Sequence, residues 1–334
     1  MLDTLPGEIV GASAEADRLR RFVEAAARRS EPVTLTGESG TGKQTAARLI
    51  HEASERKSAA FLRVDCSLFY ERELKRELFG YVAGGASRGK SRKGLFEFAS
   101  SGTCYLSRVE ELSPGIQADL LQFLKTGAFA RLGDGKRISS GVRIVVSSTK
   151  NLTGFVEAGL FDPELFGELS KLNLRMVPLR DRKGDVPAIV ESLLAGHASA
   201  HPDKPSPSLS PEALEALEAY PWPGNLDELE KEIQRVLEGA QNPIRPEHLT
   251  LEIGSCWLGQ RGDPEVRGVL DELDGYIREF RVLSRLDLSY GELLNAVGEG
   301  HLKRPPSSRD LESGLAAGLD DSPEEIMEDG GEDL

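Results

Sequence analysis

Eight residues, Gly37–Gln44 (GESGTGKQ), hold the densest chemistry in the chain. Gly37, Gly40 and Gly42 permit a tight turn whose backbone N–H groups point inward, and Glu38, Ser39 and Thr41 fill the turn between them. Lys43 then carries a positive charge to the mouth of that turn. A loop of this kind closes around phosphates, and a helix starting at its end adds the positive pole of its dipole. Both flanks suit it: PVTLT (Pro32–Thr36) reads as a buried strand and TAARLIHEA (Thr45–Ala53) as an amphipathic helix. The alternative is a Gly-rich turn that binds nothing. The strict pattern has Ser or Thr after the lysine to hold Mg²⁺; here it is Gln44, so no metal ligand is assigned.

A loop of this kind needs strands and helices to position it. Short apolar runs recur at Pro32–Thr36, Phe61–Cys66, Gly102–Leu106, Val142–Ser147 and Leu174–Val177, separated by amphipathic segments such as Glu15–Arg29, Gln44–Arg56 and Gly115–Thr126. Near-continuous apolar strands alternating with helices imply an α/β fold, a parallel sheet covered on both faces in three αβα layers. From Asp185 to about Leu249 the pattern is wholly helical. Val186–His197 reads as one helix, Ser210 caps a second (Pro211–Ala219) and Asn225 caps a third (Leu226–Gly239). The expected organisation is an α/β nucleotide-binding domain over 1–183, a small all-helical domain over 184–252, a C-terminal helical segment over 253–304 and an acidic tail over 305–334. In the third segment an apolar stripe runs from Val266 through Leu270, Ile277 and Phe280 to Leu283; it fits a helix docked on its own domain, or one offered to a partner.

Composition removes several functions. Among 334 residues, 41 Lys and Arg face 55 Asp and Glu, a net charge of −14. Much of that excess lies in the Pro-, Ser- and acid-rich tail, which is too poor in apolar residues to fold alone. An acidic body argues against a dedicated nucleic-acid binder. No stretch approaches the roughly 18 apolar residues of a membrane span, and MLDTLPGEIVG lacks a signal pattern. Cys66, Cys104 and Cys256 are odd in number and far apart, which suits buried thiols in a reducing cytoplasm.

Beyond the loop, the chain resembles the central AAA+ domain of sigma-54-dependent transcriptional activators. The resemblance is carried by IVG (Ile9–Gly11), GESGTGK, ELFG (Glu77–Gly80), KGLFEFASSGT (Lys93–Thr103), VPLRDRKGDVP (Val177–Pro187) and YPWPGN (Tyr220–Asn225), across about residues 8–250. It implies a P-loop AAA+ domain followed by a helical lid. It also implies an ATP or ADP site made by Ile9, Val10, Gly37, Glu38, Ser39, Gly40, Thr41, Gly42, Lys43 and Gln44. In the family a hexameric ring hydrolyses ATP and drives a GAFTGA loop against the sigma-54 form of RNA polymerase.

Measured against that family, the departures fall on the chemistry. The third strand, which ends in Asp–Glu in the family, has Ser107 and Arg108. The sensor at the end of the fourth strand, usually Asn, is Thr149. The segment FRxDLYYRLN, with its two arginine fingers, reads FDPELFGELS, so Asp162 and Glu168 replace both arginines. The lid arginine of GNVRELEN is Asp227, and GAFTGA aligns with GGASRG (Gly84–Gly89). An orienting carboxylate is worth about 10²–10⁴ in rate and an arginine finger about 10³–10⁵. The resemblance therefore implies a nucleotide binder that has lost hydrolysis and works through protein contacts, with a catalytic AAA+ relative or the transcription machinery, in an oligomer or alone. The alternatives are an active ATPase, with Glu110 or Glu111 compensating from a shifted position, and a scaffold with an empty pocket. No direct DNA-binding domain is evident, since GELLNAVGEGHLKR lacks the expected recognition helix. The basic SRGKSRK (Ser87–Lys93) fits a solvated loop or a partner contact. Finally, the family's Asn before the conserved cysteine is Asp65, beside the strand that ends in Arg108, and the two are expected to form an ion pair.

Overall fold

In a computed structural model of the chain, residues 8–82, 91–239 and 242–261 are described. Five strands form the central sheet: β1 (Val33–Thr36), β2 (Phe61–Asp65), β3 (Thr103–Ser107), β4 (Arg143–Ser148) and β5 (Leu172–Arg175). All pair in parallel, in the order β2-β3-β4-β1-β5. Burial follows this order. Every residue of the central β4 is buried, whereas β2 and β5, at the edges, are only partly so. This is the pattern expected of a parallel sheet covered on both faces.

Successive side chains on the strands point to opposite faces. Leu35, Tyr105 and Val145 pack against Val23 and Ala26 of α1 (Ala14–Ala27) and Ala47 and Ile50 of α2 (Lys43–Glu52). Leu106, Ile144 and Val146 pack on the other side, with Leu74 of α3 (Glu71–Phe79), Leu120 and Phe123 of α4 (Pro114–Thr126) and Leu165 of α5 (Pro163–Leu169). Cys66 and Cys104 are free and buried within this second core; burial pushes the Cys104 thiol up to about 12.

The five apolar runs are thus the five strands, each within two residues of its expected bounds. Two short hairpins had no counterpart in the periodicity: Gly80–Tyr81 with Arg92–Lys93, and Ala128–Ala130 with Arg137–Ser139. Phe79, Phe96, Phe123 and Phe129 interlock beneath them at centroid separations of 4.8–6.1 Å.

The lid gathers α6 (Val186–Ala200), α7 (Pro211–Ala219), α8 (Asn225–Glu238) and α9 (Leu251–Arg261) around Leu179, Leu217, Trp222 and Ile233. Ser210 caps α7 as expected, accepting from the Ala213 N–H. Asn225 does not cap α8. Gly224 holds the N-cap position without a side-chain bond, and Asn225 opens the helix at a left-handed φ of 56°. The division expected at 252/253 falls inside α9, where Ile253 and Trp257 join the lid core. Leu179, before the 183/184 division, packs there too. Among the described residues no helix is long and apolar enough to cross a membrane. The GGASRG segment, most of SRGKSRK, the stripe from Val266, GELLNAVGEGHLKR and the acidic tail lie outside the described residues.

Candidate nucleotide site

Parallel pairing brings the carboxyl ends of the strands to one edge, the usual place for a site in an open α/β sheet. Thr36 pairs with Ser148 on one side and Arg175 on the other, and Ser107 pairs with Asp65 and Ser147. The segments opening at Gly37, Arg108 and Thr149 therefore face a common space.

The Gly37–Gly42 loop leaves β1 and ends as the N-terminus of α2. Gly40 has φ 73°, and a Cβ there would meet the Gly224 carbonyl oxygen at 2.0 Å, so only glycine allows the loop to approach the lid this closely. The Leu226 N–H donates to the Gly40 carbonyl at 2.9 Å. Thr41 Oγ1 donates to the Glu38 carbonyl at 2.8 Å and pins the turn. Lys43 Nζ donates to the carbonyls of Gly37, at 2.7 Å, and Glu38. Burial pushes the Lys43 ammonium below its ordinary pKa, opposed by the negative charges of Glu110, Asp227 and Glu38. Gln44 turns away from the loop: its Oε1 accepts from Arg63 of β2.

Two lid residues clasp this loop, and sequence reasoning assigned neither to the site. Arg180 grips the Glu38 carboxylate with both guanidinium arms at 2.7 and 2.5 Å. The Arg180 bonds, with help from Asn225, hold the Glu38 carboxyl at about 2 despite its partial desolvation. Asn225 Nδ2 donates to the Ser39 carbonyl at 2.9 Å, and its Oδ1 accepts from the Leu179 N–H at 2.8 Å. Asn225 is fully buried. Its left-handed backbone aims the amide at the loop, which is why it does not cap its helix. The signals lay in the VPLRDR and YPWPGN strings, but neither says which groups meet.

Ile9 and Val10 run between the two cores: Ile9 packs on the α/β side and Val10 on the lid. Arg20 of α1 holds this strap by donating to the Ile9 and Gly11 carbonyls. Asp227 lines a cleft of about 580 Å³ between lid and loop, with Ser39, Tyr220 and Trp222.

A second wall, at the same sheet edge but not part of that cleft's lining, is formed by the ends of β3 and β4. Ser107 Oγ makes only a long 3.4 Å bond to the Val64 carbonyl. Arg108, at a left-handed φ of 56°, forms the expected pair: Nε donates to Asp65 Oδ1 at 2.9 Å and a terminal nitrogen to Oδ2. Burial raises the Asp65 pKa, but hydrogen bonds from Arg108 and Ser67 outweigh it and hold the carboxyl below its usual range. Thr149 meets Glu110: its N–H and hydroxyl both donate to Oε1 at 2.8 Å. Asp162 and Glu168 have local partners. Asp162 caps α5, accepting from the N–H groups of Glu164 and Leu165, and Glu168 pairs with Lys171 at 2.5 Å.

The Mg²⁺ of the family needs hard oxygen donors. Arg108 is a cation, Gln44 is tied to Arg63, and Ser107 is a neutral hydroxyl. The carboxylate that fits is Glu110, which sequence reasoning kept only as an alternative.

A family model described as "Sigma-54 interaction domain" matches residues 9–175, and one described as "AAA+ ATPase lid domain" matches 180–256. The chain is 33% identical over 284 residues to the HTH-type transcriptional regulatory protein TyrR of Salmonella typhimurium, covering 85% of this chain and 54% of that one. It is 35% identical over 255 residues to the Nif-specific regulatory protein of Rhizobium leguminosarum bv. trifolii, covering 75% and 72%. NtrX from Brucella abortus, solved in complex with ATP, superposes with a TM-score of 0.68 at 30% identity, over 74% of this chain and 55% of NtrX. The chain spans about half the length of the TyrR relatives it matches.

Proposed function

The chain belongs to the sigma-54 activator family of AAA+ proteins, and from that premise we propose that it is an ATP- or ADP-binding regulator that does not hydrolyse ATP. It acts in the cytoplasm through protein contacts, with the transcription machinery or a catalytic AAA+ relative. The observation that carries this reading is the contrast along one edge of the sheet. The phosphate loop is complete and clasped by its lid, whereas the carboxylate position at the end of β3 holds Arg108 paired to Asp65. A guanidinium cannot take a proton from water, and Asp162 and Glu168 would offer negative charge to a neighbouring subunit's nucleotide.

ATP and ADP complexes are known for NtrX, and the loop geometry suits the same ligands here. Of the ten residues expected to line the site, Gly37, Gly40, Gly42 and Lys43 are best suited to phosphate, and Ile9 and Val10 to the base. Gln44 is better read as a strut to β2.

Two measurements test the proposal. Fluorescent ADP should bind the purified chain and bind Lys43→Ala about 10- to 100-fold more weakly. Steady-state ATP turnover should not exceed that of Lys43→Ala; turnover clearly above this control makes the protein a working ATPase instead.

A further inference from the structure

Among the described residues at the strand ends, Glu110 is a buried acid with one oxygen left unpartnered. Its residue is 6% exposed. Oε1 accepts two hydrogen bonds from Thr149, while Oε2 is buried and has no hydrogen-bond partner. The nearby cations are committed elsewhere: Arg108 to Asp65, and Lys43 Nζ to the loop carbonyls. Half a carboxylate left unpaired out of water is costly unless a cation or donor completes it.

Topology says where that partner would sit. Thr149 directly follows β4, and the Ser148 carbonyl accepts from the Gly37 N–H at 3.2 Å, so the group that holds Glu110 adjoins the start of the phosphate loop. Among the charges acting on Lys43, that of Glu110 is the largest. The open oxygen and the loop lysine thus belong to one electrostatic site. A magnesium ion keeps several waters and is usually held by one or two carboxylates plus substrate phosphates. One fixed carboxylate beside a phosphate loop meets that requirement.

We propose that Glu110 is the acidic ligand, direct or through water, of a divalent cation that enters with the nucleotide. This replaces the carboxylate missing from Ser107 and Arg108 with one supplied three residues beyond Ser107. Thr149 then serves as the positioning residue that fixes Oε1 and leaves Oε2 for the cation. The inference rests on the nucleotide-binding reading and adds the metal to it.

The test is a fluorescent-ADP titration of the full chain in EDTA and in Mg²⁺, for wild type, Glu110→Gln and Glu111→Gln. Glu110→Gln keeps an oxygen for Thr149 and removes only the charge. Wild type should bind in EDTA and bind about tenfold tighter with Mg²⁺. Glu110→Gln should keep the EDTA affinity, which also shows that it is folded, and lose the Mg²⁺ enhancement; Glu111→Gln should keep both. Mn²⁺ added with ADP should give a bound spectrum by electron paramagnetic resonance in wild type and not in Glu110→Gln. A wild type indifferent to Mg²⁺, or a Glu110→Gln that retains the enhancement, overturns the metal assignment while leaving nucleotide binding intact. No binding in either buffer overturns the nucleotide reading and the metal with it.

Discussion

The two walls at the carboxyl edge of the sheet obey different rules. The wall formed by the phosphate loop and lid centres on backbone groups: Gly40 against Gly224, Leu226 N–H on the Gly40 carbonyl, and the Asn225 side-chain amide on the Ser39 carbonyl and the Leu179 N–H. The facing wall, at the ends of β3 and β4, is built from side chains: Arg108 on Asp65 and Thr149 on Glu110. A backbone cradle tolerates little substitution, because a Cβ at Gly40 would strike a carbonyl. A side-chain wall can be rebuilt pair by pair while the strands keep their register. The phosphate contacts come from the first wall and the carboxylates that turnover needs from the second, so binding can persist while turnover is lost.

The sharpest way to break that comparison is through the cradle. Lys43→Ala removes a charged donor worth about 1.5–3 kcal/mol, so nucleotide affinity should fall about 10- to 100-fold in a fluorescence titration, with the melting temperature little changed. An unchanged affinity would mean that the loop is not the binding element.

Next comes the clasp between loop and lid. Asn225→Ala strands the Leu179 N–H and the Ser39 carbonyl, which should cost about 1–3 kcal/mol in urea denaturation. If the variant is as stable as wild type, the lid is not anchored through this amide. The case also shows what the sequence could and could not say. Asn before an amphipathic run reads as an N-cap, and that rule failed because the residue takes a left-handed backbone to reach a loop 186 positions away. The five strands were legible because apolar periodicity is local. The two hairpins were not, since strands of two or three residues carry no period. Lys43 was found by its motif, and the Asp65–Arg108 pair from matched departures on neighbouring strands. Glu110 is legible only as an alternative, because nothing in VEEL says which of two adjacent acids turns inward.

A pH titration sharpens the clasp further. Glu38, held at about 2 by Arg180 and Asn225, has a folded pKa below its unfolded value. Its contribution is present above the ordinary carboxylate range and is lost as pH falls toward 2. The pair is well exposed, so the effect is small, a few tenths of a kcal/mol at most. The protection factor of the Leu226 amide, its exchange corrected for the intrinsic rate at each pH, should fall slightly below about pH 4 in wild type, and Glu38→Gln should remove that dependence. A wild-type profile identical to that of Glu38→Gln would assign the acid response to other carboxylates.

The smallest expected effect tests the facing wall. Arg108 and Asp65 form a bidentate pair, with side chains 44% and 25% exposed. Solvent access limits what the charges contribute, whereas two parallel hydrogen bonds favour the geometry. A double-mutant cycle with Asp65→Asn and Arg108→Gln should give a coupling of about 0.5–1 kcal/mol in urea denaturation. The same cycle read as nucleotide affinity should show far less, because each partner of the pair is taken up by the other. The sign of its pH dependence follows from Asp65, whose carboxyl is held below its usual range. Coupling is full at neutral pH and fades as acid protonates Asp65. Additive single effects on stability would mean that the pair does nothing for the fold. A coupling larger in affinity than in stability would move Arg108 to the nucleotide, and the division of labour between the two walls would fail.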